Sequence, residues 1–168
     1  MAFPRKLKDM NLFNEGFSYL GEVSSVTLPK LTLKTEDWRG GGMIGDVPIF
    51  QGIDKLEMEH AYGGPMRDIM RQFGITDVAG VFLRFVGGFQ DDSTGENIAV
   101  EVTVRGRHME IDRGEYKPGE GGEFKVKTQC VYYREDWNGR TELEIDLLNC
   151  VFVVGGVDRM AEIRAIIT

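Results

Sequence analysis

Apolar and polar residues alternate one for one along much of this chain, a period that fits a pleated strand and excludes a helix. Leu56, Met58, His60 and Tyr62 alternate with Glu57, Glu59 and Ala61, and Ile98, Val100, Val102 and Val104 with Ala99, Glu101 and Thr103. Phe124, Val126, Thr128, Cys130 and Tyr132 alternate with Lys125, Lys127 and Gln129, as do Leu143, Ile145 and Leu147 with Glu142, Glu144 and Asp146. Such segments predict half-buried antiparallel strands. Further strands are expected at 17–23, 80–90 and 26–36, the last with Pro29 marking an edge or a bulge. Only two segments have helical spacing. In PMRDIMRQFG, Met66, Ile69, Met70 and Phe73 share a face between Pro65 and Gly74; in VDRMAEIRAII, Val157, Met160, Ile163 and Ile167 do so. The expected fold is mainly β, an antiparallel β-sandwich or barrel-like domain with a packed α-helix and a short C-terminal helix.

A length of 168 residues suits one domain spanning 1–168, able to bury a core without a disulfide or metal. No apolar run approaches the ~20 residues that cross a bilayer, and Arg5, Lys6 and Lys8 are not followed by the apolar stretch of a secretory signal. A net charge of −7 argues against a nucleic-acid grip, which needs a basic face; it suits both simple solubility and a protein that lets DNA pass without sticking. Cys130 and Cys150 lie in apolar, strand-like runs without ligand spacing and read as small buried residues, a disulfide between them remaining open.

Catalytic parts are missing from the pattern. There are two histidines: His60 falls on the apolar face of its strand, as a core or interface residue, and His108, between Arg107 and Glu110, is expected at the surface. Neither has carboxylates or thiols at metal-ligand spacing, GxSxG is absent, and GGGMIGD lacks the GK[ST] of a phosphate loop. DDSTGEN lacks the alternating oxygens and final Glu of a calcium loop and reads as a hairpin tip. No enzyme activity, cofactor or metal is expected. Two long glycine-rich loops, 39–46 and 113–122, are either mobile connections or segments that order on a neighbouring subunit. The polar faces of several strands are charged: Lys55, Glu57 and Glu59; Glu101, Arg105 and Arg107; Lys125 and Lys127; Glu142, Glu144 and Asp146. Water alone accounts for such faces, and so does an aqueous channel lined by a sheet within an assembly.

Ordered blocks of the sequence carry a resemblance. The opening MAFPRKLKDMNLF, SVTLPKL at 25–31, RGGGM at 39–43, VEVTVRGR at 100–107 followed by Glu110-Ile111-Asp112, Gly114-Glu115, Lys117-Pro118-Gly119-Glu120, Glu144-Ile145-Asp146 with Asn149, and GVDR at 156–159 resemble the major tail tube protein of contractile-tailed phages, a family that also supplies the tube of R-type pyocins. The resemblance runs from the first residue to the last turn and is weakest between about Tyr62 and Val78. It implies a structural subunit of a phage or tailocin particle. Hexameric rings of it stack into a hollow tube that conducts DNA or ions and is driven through the target envelope. It further implies a sheath protein outside, a tape measure protein or passing DNA inside, baseplate and tail terminator proteins at the ends, and assembly in the bacterial host cytoplasm. Alternatives are a type VI secretion-like tube subunit or a monomeric ligand-binding β-barrel.

On that reading the N-terminal segment (about 1–14), the glycine-rich loop (about 38–53) and the 112–122 loop make subunit and ring contacts. The candidate contact residues are Phe3, Leu7, Leu12 and Phe13; Trp38, Gly40, Gly41, Gly42, Met43 and Ile44; and Tyr116, Lys117 and Pro118. The candidate lumen-facing residues are Lys55, Glu57, Glu59, Glu101, Thr103 and Arg105.

Overall fold

The computed structural model describes residues 1–168 and is built almost entirely from antiparallel strands. One ten-stranded sheet holds β1 (Lys6–Asn14), β2 (Phe17–Ser18), β3 (Val23–Thr27), β6 (Leu56–Tyr62), β7 (Val81–Gln90), β8 (Asn97–Asp112), β9 (Phe124–Trp137), β10 (Arg140–Asp146), β11 (Val151–Val154) and β12 (Val157–Asp158). A separate two-stranded hairpin pairs β4 (Leu33–Trp38) with β5 (Val47–Ile53). The helices are α1 (Arg67–Gln72) and α2 (Ala161–Ile167).

The long strands β8 and β9 organise the sheet. One edge of β9 pairs with β8 along nearly its whole length. Its other edge is shared, with β6 on Phe124–Cys130 and β10 on Tyr132–Trp137. The sheet therefore has two wings, β3–β6 on one side and β7–β1–β2 with β10–β12 on the other, and both feed one core. That core includes Leu56, Met58 and Tyr62 from the first wing and Leu12, Leu83, Phe85 and Ile145 from the second, with Val102, Val104, Phe124 and Val126 between. Where the wings meet, Gly106 faces Cys130, Arg105 faces Tyr132, and Val131 is the extra residue of a β-bulge. A Cβ on Gly106 would lie 2.0 Å from the Gln129 carbonyl oxygen, so no other residue fits this approach.

The bulge explains one departure from the simple alternation. Phe124, Val126, Thr128 and Cys130 point into the core as expected, but past Val131 the buried residue is Tyr133 rather than Tyr132. A second bulge at Met109 acts similarly, so that Glu110 and Asp112 face away while His108 stays inside. His108 is thus buried, not at the surface; its charged neighbours belong to the opposite face. Other corrections are local. The 26–36 segment breaks between Thr27 and Leu33, with Pro29 in the break because it has no N–H for a ladder, and 17–23 holds only the two-residue β2 and the first residue of β3. Cys150 lies at a turn with φ of 55°, and both cysteines are free thiols. Met70 and Phe73 of the first helical segment are exposed, leaving Met66 and Ile69 to anchor α1, and Leu147 is exposed just past the end of β10. Val157 belongs to β12, and α2 buries no residue at all.

Gly106→Ala is expected to destabilise the fold by about 3 kcal/mol or more, because backbone must shift rather than a side chain. Urea unfolding followed by circular dichroism measures it; a loss within ~1 kcal/mol would show that the two strands part easily here.

Candidate assembly surfaces

The β4–β5 hairpin is the most exposed regular structure in the chain. Every residue of β4 is exposed, as are the first five of β5. In register, Trp38 lies opposite Val47 and Glu36 opposite Ile49, while Thr35 lies opposite Phe50. Because side chains alternate across a strand, Trp38, Val47 and Ile49 share one face and Phe50 occupies the other. Both faces are thus partly apolar and bare, which a monomer does not require. The loop at the tip, 39–46, is a folded turn: Arg39 Nε donates to the Met43 carbonyl at 3.2 Å, Met43 N–H to the Gly40 carbonyl at 3.3 Å, and Gly40 N–H reaches Met43 Sδ at 3.1 Å. Gly42 has φ of 82°, and Ile44 stands fully exposed. The expected loop at 38–53 is therefore shorter, its second half being strand β5. At the hairpin's root an open apolar hollow of about 340 Å³ lies between Leu33 and Ile53 on one side and Leu143, Ile145 and Phe152 on the other.

The N-terminal residues divide. Phe3 and Leu7 are exposed, and Arg5 and Lys8 hold this end to the 91–96 tip through Glu96 at 3.3 Å and Asp92 at 2.9 Å. Phe13 is half-buried beneath the Arg84 guanidinium, 4.3 Å above its ring. Leu12 is wholly buried in the core of its own subunit, which removes it from the candidate contacts: as a β1 residue it alternates inward between Asn11 and Phe13. The 113–123 loop is exposed apart from the half-buried Gly122, Tyr116, Lys117 and Pro118 included, with Lys117 3.7 Å from Glu115. Helix α2 was not among the expected contacts. Arg164 bonds Asp158 and the Cys150 carbonyl, while Ile163, Ile166 and Ile167 stay exposed at the i, i+3, i+4 spacing that is visible in the sequence.

The candidate lumen residues of β6 and β8 share the sheet face opposite the core. Across the strands the rungs read Arg84–Thr103–Arg134–Glu144, then Phe82–Arg105–Tyr132–Asp146, Arg107–Gln129–Glu57 and Glu110–Lys127–Glu59. Lys55 precedes β6 and sits 3.5 Å from Glu57. Charges of opposite sign are neighbours in part, with Arg84 3.1 Å from Glu101 and Lys127 3.7 Å from Glu59, while Arg105 lies over the Phe82 ring, 4.9 Å from its centroid. Thr103 is buried between the flanking Arg84 and Arg134 and presents nothing to solvent, a correction to its place among surface candidates.

The family model of the phage tail tube protein FII matches residues 4–167. The chain belongs to the phage tail tube protein family. It is 48% identical to the tail tube protein of Escherichia phage P2 over 167 residues, covering 98% of this chain and 97% of the relative. To the major tail tube protein of Serratia phage KSP20 it is 39% identical over 154 residues, 90% of this chain and 88% of the relative. Among solved structures, the sheath/tube terminator and the sheath–tube complex of the extracellular contractile injection system PVC both align with a TM-score of 0.59 at 9% and 10% identity. They cover 80% of this chain and 97% and 92% of theirs. The anti-feeding prophage tube-terminating cap aligns equally well, at 9% identity. At such identities the likeness establishes a shared fold, mainly β, which the tail tube protein has in common with tubes of contractile injection systems. As a tail tube protein it is a structural component of the tail of virions and tail-like particles.

Leu12→Ala in this tail tube protein is expected to lose about 2–4 kcal/mol of subunit stability, whereas Phe3→Ala shifts it by less than about 0.5 kcal/mol. Denaturant titration of the two variants side by side checks the division.

Proposed function

We propose that the protein forms the inner tube of a contractile particle by stacking hexameric rings of itself, and that its assembly contacts reside chiefly in the β4–β5 hairpin. The observation that carries this reading is the hairpin's exposure: a two-stranded hairpin is at best marginally stable in water, and this one presents Trp38, Val47, Ile49 and Phe50 with no core of its own to cover them. Phe3, Leu7, the Gly40–Ile44 tip, Tyr116, Lys117 and Pro118 add further contacts of the same kind. A sheath then surrounds the tube, baseplate and terminator proteins close its ends, and a tape measure protein or DNA occupies the lumen. Solved structures that share the fold belong to assemblies with a sheath, a terminator and a baseplate, which supports the same neighbours for this protein.

We assign the lumen wall to the charged face bearing Glu57, Glu59, Glu101 and Arg105. Such a wall passes a polyanion because Lys55, Arg84 and Lys127 already have carboxylate partners and Arg105 lies over the Phe82 ring, so few cations are free to release counterions. The protein needs no catalytic group or cofactor for this work.

Ile44→Asp and Trp38→Ala are expected to leave subunit melting unchanged within ~2 °C and to abolish or shorten tubes seen by negative-stain electron microscopy. A β-branched residue at Gly42, where φ is positive, should act in the same direction. Normal tubes from both hairpin variants would remove the hairpin from the assembly contacts; a wild-type protein that never forms rings or tubes would remove the tube reading itself.

A further inference from the structure

Both histidines lie inside the fold, linked by a chain of hydrogen bonds that crosses five elements. His60 Nδ1 is 2.6 Å from the Tyr62 hydroxyl and its Nε2 is 2.9 Å from Thr128 Oγ1. Thr128 Oγ1 is 2.8 Å from His108 Nδ1, and His108 Nε2 is 2.9 Å from Gln72 Oε1. Gln72 on α1 in turn exchanges two bonds of 2.8 Å with Asn14 on β1.

The exchange with Asn14 leaves Gln72 Oε1 as the acceptor that faces His108, so His108 carries its hydrogen on Nε2 and presents a bare Nδ1. Thr128 donates to that nitrogen and accepts from His60 Nε2–H, and the Tyr62 hydroxyl donates to His60 Nδ1. The chain runs in one direction, satisfies each link once, and requires both rings to be neutral. A proton on His108 Nδ1 would leave the Thr128 hydroxyl hydrogen without its acceptor.

Nothing nearby compensates such a proton. Glu59 on β6, Arg107 and Glu110 on β8, and Lys127 and Gln129 on β9 all belong to the opposite face. Asp68 and Arg71 on α1 are exposed; Glu15 and Glu22 lie nearer Tyr19, which with Asn14 closes the β1 side. Burial therefore pushes both rings well below the ordinary 6.5, His60 to about 3 and His108 to about 4.

The helix at the end of this chain is weakly held. It has six residues, no side-chain N-cap bond, and only Met66 and Ile69 buried beside the Gln72 bonds. Such a segment is the kind that opens before the rest of a domain. We propose that the Tyr62–His60–Thr128–His108–Gln72 chain is an acid-sensitive latch, which holds α1 on the sheet and releases it, ahead of the rest of the fold, when His108 takes up a proton. The inference concerns the single subunit and stands apart from the tube reading.

The sign follows from the direction of the shift. Opening exposes His108, so the open form binds a proton at 6.5 and the closed form only near 4; the latch holds fully above pH 6.5 and weakens as pH falls towards 4. One proton makes the change about tenfold per pH unit, roughly 300-fold across the window.

Hydrogen exchange of the full-length protein, read by mass spectrometry and corrected for intrinsic rates, tests this. Protection over residues 66–74 should fall about 40-fold from pH 6.5 to 4.5, while β8–β9 peptides keep theirs, and His108→Gln, which cannot titrate, should flatten the pH dependence. Protection of α1 indifferent to pH, lost in step with β8–β9, or equally steep in His108→Gln would overturn the latch. Should His108→Gln not fold, ¹³C NMR of His108 Cε1 in the wild type decides: no titration down to about pH 4 while α1 stays closed agrees with the latch, and a midpoint near 6.5 with α1 still closed overturns it.

Discussion

The approach of Gly106 to the Gln129 carbonyl is the contact on which the rest of the structure hangs. Two strands of 16 and 14 residues would make a long flat ribbon if their pairing were regular. The extra residue at Val131, accepted only because Gly106 lacks a Cβ, lets each strand serve two wings while keeping both apolar faces on one core. It also switches the edge partner of β9 from β6 to β10 at the same point. Core composition, the placement of the histidines and the sharing of one charged face all follow from that junction.

The apolar side chains fall into two populations. One, from Leu12 to Ile145, is satisfied within the subunit; the other, on the hairpin, the N-terminal end, the 113–123 loop and α2, is left in water. On the proposed assembly, neighbouring copies supply the cover that the second population lacks. Partial charge pairing on the opposite sheet face complements this division: stickiness resides at the extremities while the broad charged face stays inert.

Much of the fold was legible because the alternation at 56–62, 98–104 and 124–130 lies within single, regular strands whose faces the period of two determines. The failures cluster where three-dimensional pairing adds a residue. Tyr132 and Tyr133 exchange faces at one bulge, and His108 lies inside although its sequence neighbours Arg107 and Glu110 are charged, because those face the other side of the sheet. Following the period from Val100 through Val104 and Gly106 would have placed it inside. Leu12 was counted among outward groups for lack of a visible partner strand; its cover, β7, lies some 70 residues further along the chain. Of the hairpin, only the glycine-rich tip and the first part of β4, within the expected 26–36 strand, are legible, since strands bare on both faces show no clean alternation. The tail tube family itself was legible from ordered blocks that no periodicity argument could supply.

On the proposed stacking, an arm held to its own subunit only at its root gives a growing polymer a direction. In a head-to-tail stack one end displays unmet arms and the other unmet receiving surfaces. In that stack the hairpin faces at the first end stay bare until the next ring covers them, whereas the receiving surfaces belong to the sheet. A tube stacked in this way has chemically unlike ends, bare apolar hairpins at one and the surfaces that cover them at the other.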